Sequence, residues 1–262
     1  MGVMDYWHKQ TLETPLYDAM LWSRPENRAY AGKLLVVGGS SQGFAHPAQA
    51  YQAASVAGVG SGRAVLPDAL QKTLPKGFME ADFLPSTPSG SFAREALGEL
   101  LSQAMWADGV LLAGDMGRNS ETAILLESFA GKYSGQLTLT CDAADYAVNA
   151  PHIVLKRPNT LLVVGFKQLQ KFGLNARFPQ AFTSSMDLLR LVEMLHGVTT
   201  EYPLSIITKH SDNIFVASGG QVSTTKIIDK PVWRITTAAS ASVWWLQNPQ
   251  KPFEALSTSI VA

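Results

Sequence analysis

The sequence predicts an α/β protein built on a doubly wound, mainly parallel sheet with helices on both faces. Three observations carry that expectation. Short apolar runs end repeatedly in Gly/Ser turns, as in "GKLLVVGGSSQG", "GVLLAG" and "TLLVVG", and continuous rather than alternating hydrophobicity marks strands covered on both sides. Helix-like segments such as "PAQAYQAASVA" and "SETAILLESFAGKY" separate these runs, and strands alternating with helices build parallel sheets. No linker, low-complexity tract or tandem repeat interrupts the 262 residues, so residues 1–262 read as one domain, with 46% hydrophobic residues to fill its core.

Taken in order, residues 13–21 form an expected opening helix and "GKLLVVGG" the first buried strand, broken by two glycines. Residues 47–57 are Ala-rich with a proline in a first helical turn, where its missing N–H costs nothing. "GVGSGRAVLP" then supplies a glycine stop and a second strand. Ser91 stands where it could cap "FAREALGELLSQAM"; "GVLLAG" reads as a strand, "SETAILLESFAGKY" as an amphipathic helix and "QLTLTCDA" as a strand. Beyond these, "HIVLK", "TLLVVG", "LSIITKH" and "NIFVASGG" read as strands, and "SSMDLLRLVEMLHG" as a helix closed by Gly197. The last helix is expected to start near Thr237.

Composition excludes several classes of partner. Lys plus Arg equal Asp plus Glu at 21 each, with no long basic run, so nothing draws the chain to nucleic acid or to an anionic membrane, and a small molecule is the expected partner. The single Cys141 excludes an internal disulfide, and Cys and His are too few and scattered for a structural zinc site. "MGVMDYWHKQTLETPLYD" lacks a signal-peptide core and no apolar run reaches membrane-spanning length; the expected location is the cytoplasm. Tryptophans in "VWWLQNPQKPF" and "MDYWHKQ" are candidates for a partly exposed apolar surface as well as for core packing.

Ligands of open parallel sheets sit outside the carboxyl ends of the strands, so the turns there hold the candidate site residues. The turn at residues 38–47 offers the backbone of Gly39, the hydroxyl of Ser40 and the imidazole of His46 just ahead of a helix N-terminus. It matches neither the dinucleotide fingerprint nor the P-loop. "AGDMGRNSE" places Asp115 and Gly117 after a buried strand, with Asn119 or Ser120 as an N-cap; Asp115 suits a ribose hydroxyl, a base or a turn-stabilising ion pair. In "TCDAADYA", Asp142 and Asp145 are spaced to share a helical face, for a cation, for proton transfer or for capping the next helix. Lys209 and His210 close a strand before a hairpin, where the lysine could meet a phosphate or solvent.

These turns, in order, resemble one family, the ribokinase-like proteins that include ADP- or ATP-dependent NAD(P)H-hydrate dehydratase. The first strand, glycine turn and Ala-rich helix look like that family's, with Gly38, Gly39, Ser40, Pro47, Gly58 and Gly60 in register. "DGVLLAGDMGRNSETAILL" is similar to its "GPGLGR" turn and helix, "LTCDAADYA" to its "LDADALN" strand end, "LSIITKHSDNIFVASGG" to its "KG" hairpin, and "SASVWWLQNPQKPFEAL" to its final long helix. The resemblance covers residues 31–256 and implies a ribokinase-like fold, homo-oligomers, and ADP or ATP with Mg²⁺ as cofactor where the family's activity is retained.

The departures fall on the family's chemistry. "GPGLG" becomes "AGDMG", placing a side chain at Asp115. The stretch "TPHPGE" falls on "LVVGFK", with Val164 or Gly165 for the histidine and Lys167 for the glutamate. "KG" becomes Lys209 and His210. The "GTGD" turn, an anion hole carrying the acid attributed with proton transfer, falls on "TTAA" at residues 236–239, leaving the hydroxyls of Thr236 and Thr237. Without glycine the backbone N–H groups lose the freedom to converge on a phosphate, and without the aspartate the acid–base group is gone. Two readings follow: a catalytically degenerate relative that keeps nucleotide or metabolite binding or an assembly role, and an active dehydratase or small-molecule kinase with relocated catalytic residues, for which Asp115, His46 and Asp142 are the candidates.

Overall fold

The computed structural model describes residues 4–74, 79–227 and 233–262. Ten strands among the described residues form one sheet: β1 (Trp7–Gln10), β2 (Lys33–Gly38), β3 (Ser61–Pro67), β4 (Ala81–Leu84), β5 (Gly109–Gly114), β6 (Gln136–Thr140), β7 (Thr160–Gly165), β8 (Leu204–His210), β9 (Asn213–Ser218) and β10 (Gln221–Lys226). Their spatial order is β1-β10-β9-β8-β7-β6-β5-β2-β3-β4. All neighbours pair in parallel except β8 with β9 and β9 with β10, so of these ten β9 alone runs against the rest.

Alternation along each strand feeds two cores. In β2, Leu35 and Val37 face one layer while Leu34 and Val36 face the other, and all four are shielded from solvent. The first layer is closed by α3 (Leu97–Trp106), α4 (Ser120–Lys132), α5 (Ala143–Asn149), α7 (Phe166–Asn175) and α8 (Leu188–Glu201), through residues such as Leu100, Phe129 and Leu195. The second is closed by α2 (Ala45–Val56), α9 (Trp233–Gln247) and α10 (Pro252–Thr258). Burying each such aliphatic side chain stabilises the fold by about 1.5–3 kcal/mol, which is why the central strands read as unbroken apolar runs. The expected α/β class, with helices on both faces of a mainly parallel sheet, is the one observed.

Several elements differ from expectation. "HIVLK" is not a strand: Pro151 adopts helical angles and opens a short helix, α6 (His152–Leu155). The opening helix is shorter and later, α1 (Asp18–Trp22). Helix α8 begins after Asp187, whose carboxylate accepts the Arg190 N–H at 2.8 Å, and runs through Gly197 to Glu201 rather than stopping at the glycine. Ser91 does not cap α3; a 3₁₀ turn at Arg94–Ala96 leads into that helix instead. α9 is already helical at Trp233 rather than starting near Thr237.

Edge strand β1 extends the sheet through β10, secured by Trp7 Nε1 donating to Thr224 Oγ1 and by buried Gln10 donating to Thr225 Oγ1 and the Ser257 carbonyl. Trp244 and Trp245 pack inside, whereas Trp22, outside both of the tryptophan-bearing segments named above, is 83% exposed. Among the described residues no helix is long and apolar enough to cross a membrane.

Candidate ligand cleft

The carboxyl ends of β2, β5 and β6 open into a cleft of about 1120 Å³. Ser40 and Gly43 form one wall; Asp115, Gly117, Arg118 and Asn119 from the turn before α4 form another; Asp142, Asp145, Tyr146 and Asn149 along α5, with Lys171 of α7, form the third.

The strand ends are held in unusual backbone conformations. Asp115 and Cys141, the residues that follow β5 and β6, have φ of +57° and +53°, the left-handed region that costs most residues about 1–2 kcal/mol. A Cβ on Gly38 would stand 2.5 Å from the Gly114 carbonyl, which accepts the Gly39 N–H at 2.9 Å, so β2 and β5 approach backbone to backbone. Gly114 itself has φ of +111°, and a Cβ there would meet Asp142 Oδ1 at 2.6 Å, Cys141 Cβ at 2.9 Å and His46 Nδ1 at 3.0 Å.

Three carboxylates meet this backbone, each with its own employment. Asp115 Oδ2 accepts the His46 N–H at 2.8 Å and Oδ1 lies 2.7 Å from His46 Nδ1. That nitrogen makes no in-line hydrogen bond among the described residues, so the contact is an ion pair more than a directed bond. Burial pushes the Asp115 carboxyl up, but the His46 ring and the N–H groups of His46 and Ala45 outweigh it and hold the group below the usual range. The Asp115 carboxylate in turn raises His46, against the opposing effect of burial. Asp142 Oδ2 accepts the Met116 N–H at 3.0 Å, while its Oδ1 is out of solvent with no partner among the described residues; burial raises this carboxyl. Asp142 thus sits at the N-cap of α5 without capping it, and holds the β5 turn instead. Asp145 Oδ1 accepts from Gln168 Nε2 at 2.7 Å.

Gln168 ties the rest of the edge together. Its Nε2 also donates to the Cys141 carbonyl at 2.8 Å, and its Oε1 accepts the Gly165 N–H at 3.1 Å and Arg234 Nη1 at 3.0 Å. Burial raises the Cys141 thiol, which makes it a poor nucleophile. Among the described residues no three or more His, Cys, Asp or Glu side chains are grouped so as to hold a metal ion.

The predicted residues are therefore dispersed. Ser40, Asp115 and Gly117 line the cleft, and His46 touches it through Asp115. Gly39 lies in the same turn, but its Cα faces Leu70 and Leu66. Lys209, paired with Gly165 and Ile214, stands outside the lining, and His210 stacks on Phe166 at 4.1 Å. Thr236 and Thr237 lie within α9; Thr237 is wholly buried, its hydroxyl without a partner among the described residues. Asn119 is the N-cap of α4, accepting from Glu121 N at 2.8 Å. Tyr146, Asn149 and Lys171 are lining residues the sequence reading did not single out; the spacing of Asp142, Asp145, Tyr146 and Asn149 on one helical face was the available signal.

A scan against models of protein families finds no match, and neither does a search of curated proteins. Solved structures do match. A ribokinase-like superfamily protein from Enterococcus faecalis superposes with a TM-score of 0.73 at 13% identity, covering 100% of this chain and 88% of that one. A protein from Streptococcus mutans gives 0.65 at 16% identity, with coverage of 90% and 82%. The ADP/ATP-dependent NAD(P)H-hydrate dehydratase of Bacillus subtilis, co-crystallised with ATP and Mg²⁺, gives 0.56 at 12% identity, with coverage of 94% and 81%. The chain has the ribokinase-like fold.

Proposed function

We propose that the chain is a divergent ribokinase-like protein, related to the NAD(P)H-hydrate dehydratases, that binds a nucleotide or small polar metabolite in the cleft and has lost the dehydratase and kinase chemistry. The observation that carries this reading is α9: residues 236–239 lie inside a regular helix, Thr237 points into the core, and the first described turn holds no acid. Helical backbone at residues 237–239 commits their N–H groups to the helix ladder, so these cannot converge on a phosphate. The carboxylates nearest the cleft are committed to backbone N–H groups and to His46.

A second reading, an enzyme with relocated groups, draws support from the fact that Asp115 and Asp142 both line the cleft beside an imidazole. A thermal-shift series with ATP, ADP, AMP, NADH, NADPH and the hydrated dinucleotides, each with and without Mg²⁺, together with product analysis, separates the two. Stabilisation without turnover supports the binding protein, since a ligand selective for the native state raises apparent stability by mass action. Turnover overturns it in favour of the enzyme, and no shift at millimolar ligand defeats both. Location in the cytoplasm and self-association belong to the same proposal, the second checked by sedimentation velocity.

A further inference from the structure

His46 stands at the start of α2 with its Nδ1 close to carboxylates from two neighbouring strand ends. Its Nδ1 is 2.7 Å from Asp115 Oδ1. The same nitrogen and Asp142 Oδ1 both border the space beside the Gly114 Cα, where a Cβ would lie 3.0 Å from one and 2.6 Å from the other. Both atoms are out of solvent, and neither makes a hydrogen bond among the described residues. The second oxygen of each carboxylate is fixed by a backbone N–H, of His46 and of Met116, so neither side chain is free to swing away. The charged groups that face the imidazole from the elements packed around it are Asp115, Asp142 and Arg234 of α9, with the thiol of Cys141 beside them kept neutral by burial. The His46 side chain is 34% exposed, which gives its proton a route to solvent.

We propose that the proton on His46 sets the affinity of the cleft for anionic ligands: the imidazolium neutralises one of the two carboxylates that line the cleft, and its loss presents both to the ligand at full charge. This rests on the reading of the cleft as the ligand site, whose regulation it describes. The direction follows from Coulomb's law: an anion bound against Ser40, Arg118 and Lys171 is repelled more strongly once His46 is neutral. One unit of charge acting over about 10 Å, partly screened, corresponds to roughly a tenfold change in affinity.

The test has two arms on the full chain. In the first, the His46 ring is titrated by NMR without ligand; its pKa is expected above the ordinary value of 6.5 and to fall toward it in Asp115→Asn and in Asp142→Asn. A pKa at or below the ordinary value, or one that neither variant moves, overturns the inference. In the second, ADP is titrated by calorimetry from pH 5.5 to 9 (roughly the range bracketing imidazole titration) into the wild type and His46→Gln. The affinity of the wild type relative to His46→Gln is expected to fall about tenfold as pH rises, the titration of ADP itself cancelling in the ratio. A constant ratio overturns the inference alone. No binding of ADP by either protein at any pH overturns the ligand reading, and this inference with it.

Discussion

Asp115 closes the N-terminus of α2 from another strand: one oxygen accepts the His46 N–H at 2.8 Å while the other lies 2.7 Å from the His46 ring. Phe44, the residue at the N-cap of α2, offers no side-chain cap, so the helix takes its acceptor from the end of β5. The same device recurs one strand over, where Asp142 from β6 holds the Met116 N–H of the β5 turn. Beyond it Gln168 holds the ends of β6 and β7 and the guanidinium of Arg234. Groups that could have served chemistry along this edge are used to fasten each strand end to its neighbour.

Asp115 makes its cap from a left-handed backbone, φ +57°, and the two effects separate by mutation. Asp115→Ala removes the cap and the ion pair but keeps the strain; Asp115→Gly removes the cap and relieves the strain. Glycine is therefore expected to be less destabilising than alanine by about 1 kcal/mol in urea unfolding. Equal losses would show that the backbone at this position is unstrained.

The Asp115–His46 pair also sets a pH window. His46 is raised in the native state, so its contribution to stability is complete below pH 6.5 and disappears as pH rises through the folded pKa. Asp115 is lowered, so the carboxylate's contribution is present above its ordinary 3.8 and disappears as pH falls through its folded value. The loss of Tm in Asp115→Asn is expected to be greatest near pH 5, about midway between the two ordinary values, and to shrink as pH rises through the folded value of His46. A loss independent of pH would reduce the pair to the backbone cap.

Gly114→Ala is expected to cost about 2–4 kcal/mol, from a φ of +111° and contacts under 3.0 Å to Asp142 and Cys141. Calorimetric melting checks it; a Tm within a degree or so of wild type would mean that the strand ends give way easily.

How much of this was legible follows from what each element depends on. β2, β5 and β7 could be read directly because their burial on both faces leaves an unbroken apolar signature. β1 and β10 could not: β1 is four residues, polar and aromatic, and pairs only with a strand more than 200 residues away, as in the bond from Trp7 to Thr224, while β10 is mostly polar, with Ser223, Thr224 and Thr225 at buried positions. "HIVLK" misled because β-branched residues favour strands while Pro151, just ahead, set a helical turn. At the site, Asp115 and Ser40 were found from their place after apolar strands. Thr237 was not separable from Thr236 by sequence, since the phase of α9 decides that one hydroxyl enters the core, and Lys171 was missed with the whole of α7.

Arg157 shows a buried charge that no motif announced. It is 9% exposed and contacts no carboxylate among the described residues; its guanidinium donates instead to the carbonyls of Ala130, Tyr133 and Gly135 at the end of α4, to those of Pro158 and Asn159, and to Thr160 Oγ1. The partial negative charge at a helix C-terminus favours this arrangement, and burial lowers the group only to about 10, leaving it charged at neutral pH. Lysine has a single nitrogen and cannot span the carbonyls, so Arg157→Lys is expected to lose about 2–4 kcal/mol in urea unfolding, against less than 1 kcal/mol for an exposed arginine. A loss under 1 kcal/mol would mean that water replaces the missing donors.

Asp142 carries the opposite expectation, a stabilising substitution. Burial raises its carboxyl, so the native state binds the proton more readily than the unfolded chain does; its contribution is complete below the ordinary 3.8 and declines as pH rises through the folded value. Once ionised, the group keeps Oδ1 buried with no partner among the described residues. An asparagine at this position would still accept the Met116 N–H through its carbonyl oxygen while removing the buried charge. Asp142→Asn is therefore expected to gain on the order of 1 kcal/mol at pH 7, or about 2–4 °C in Tm, with the gain vanishing below pH 4. Natural sequences retain such a cost where a charge serves a ligand, so the same variant should weaken the pH dependence of ADP affinity while melting higher. A lower Tm at pH 7 would show that His46 and the backbone N–H groups around Asp142 stabilise the ionised form by more than burial costs it.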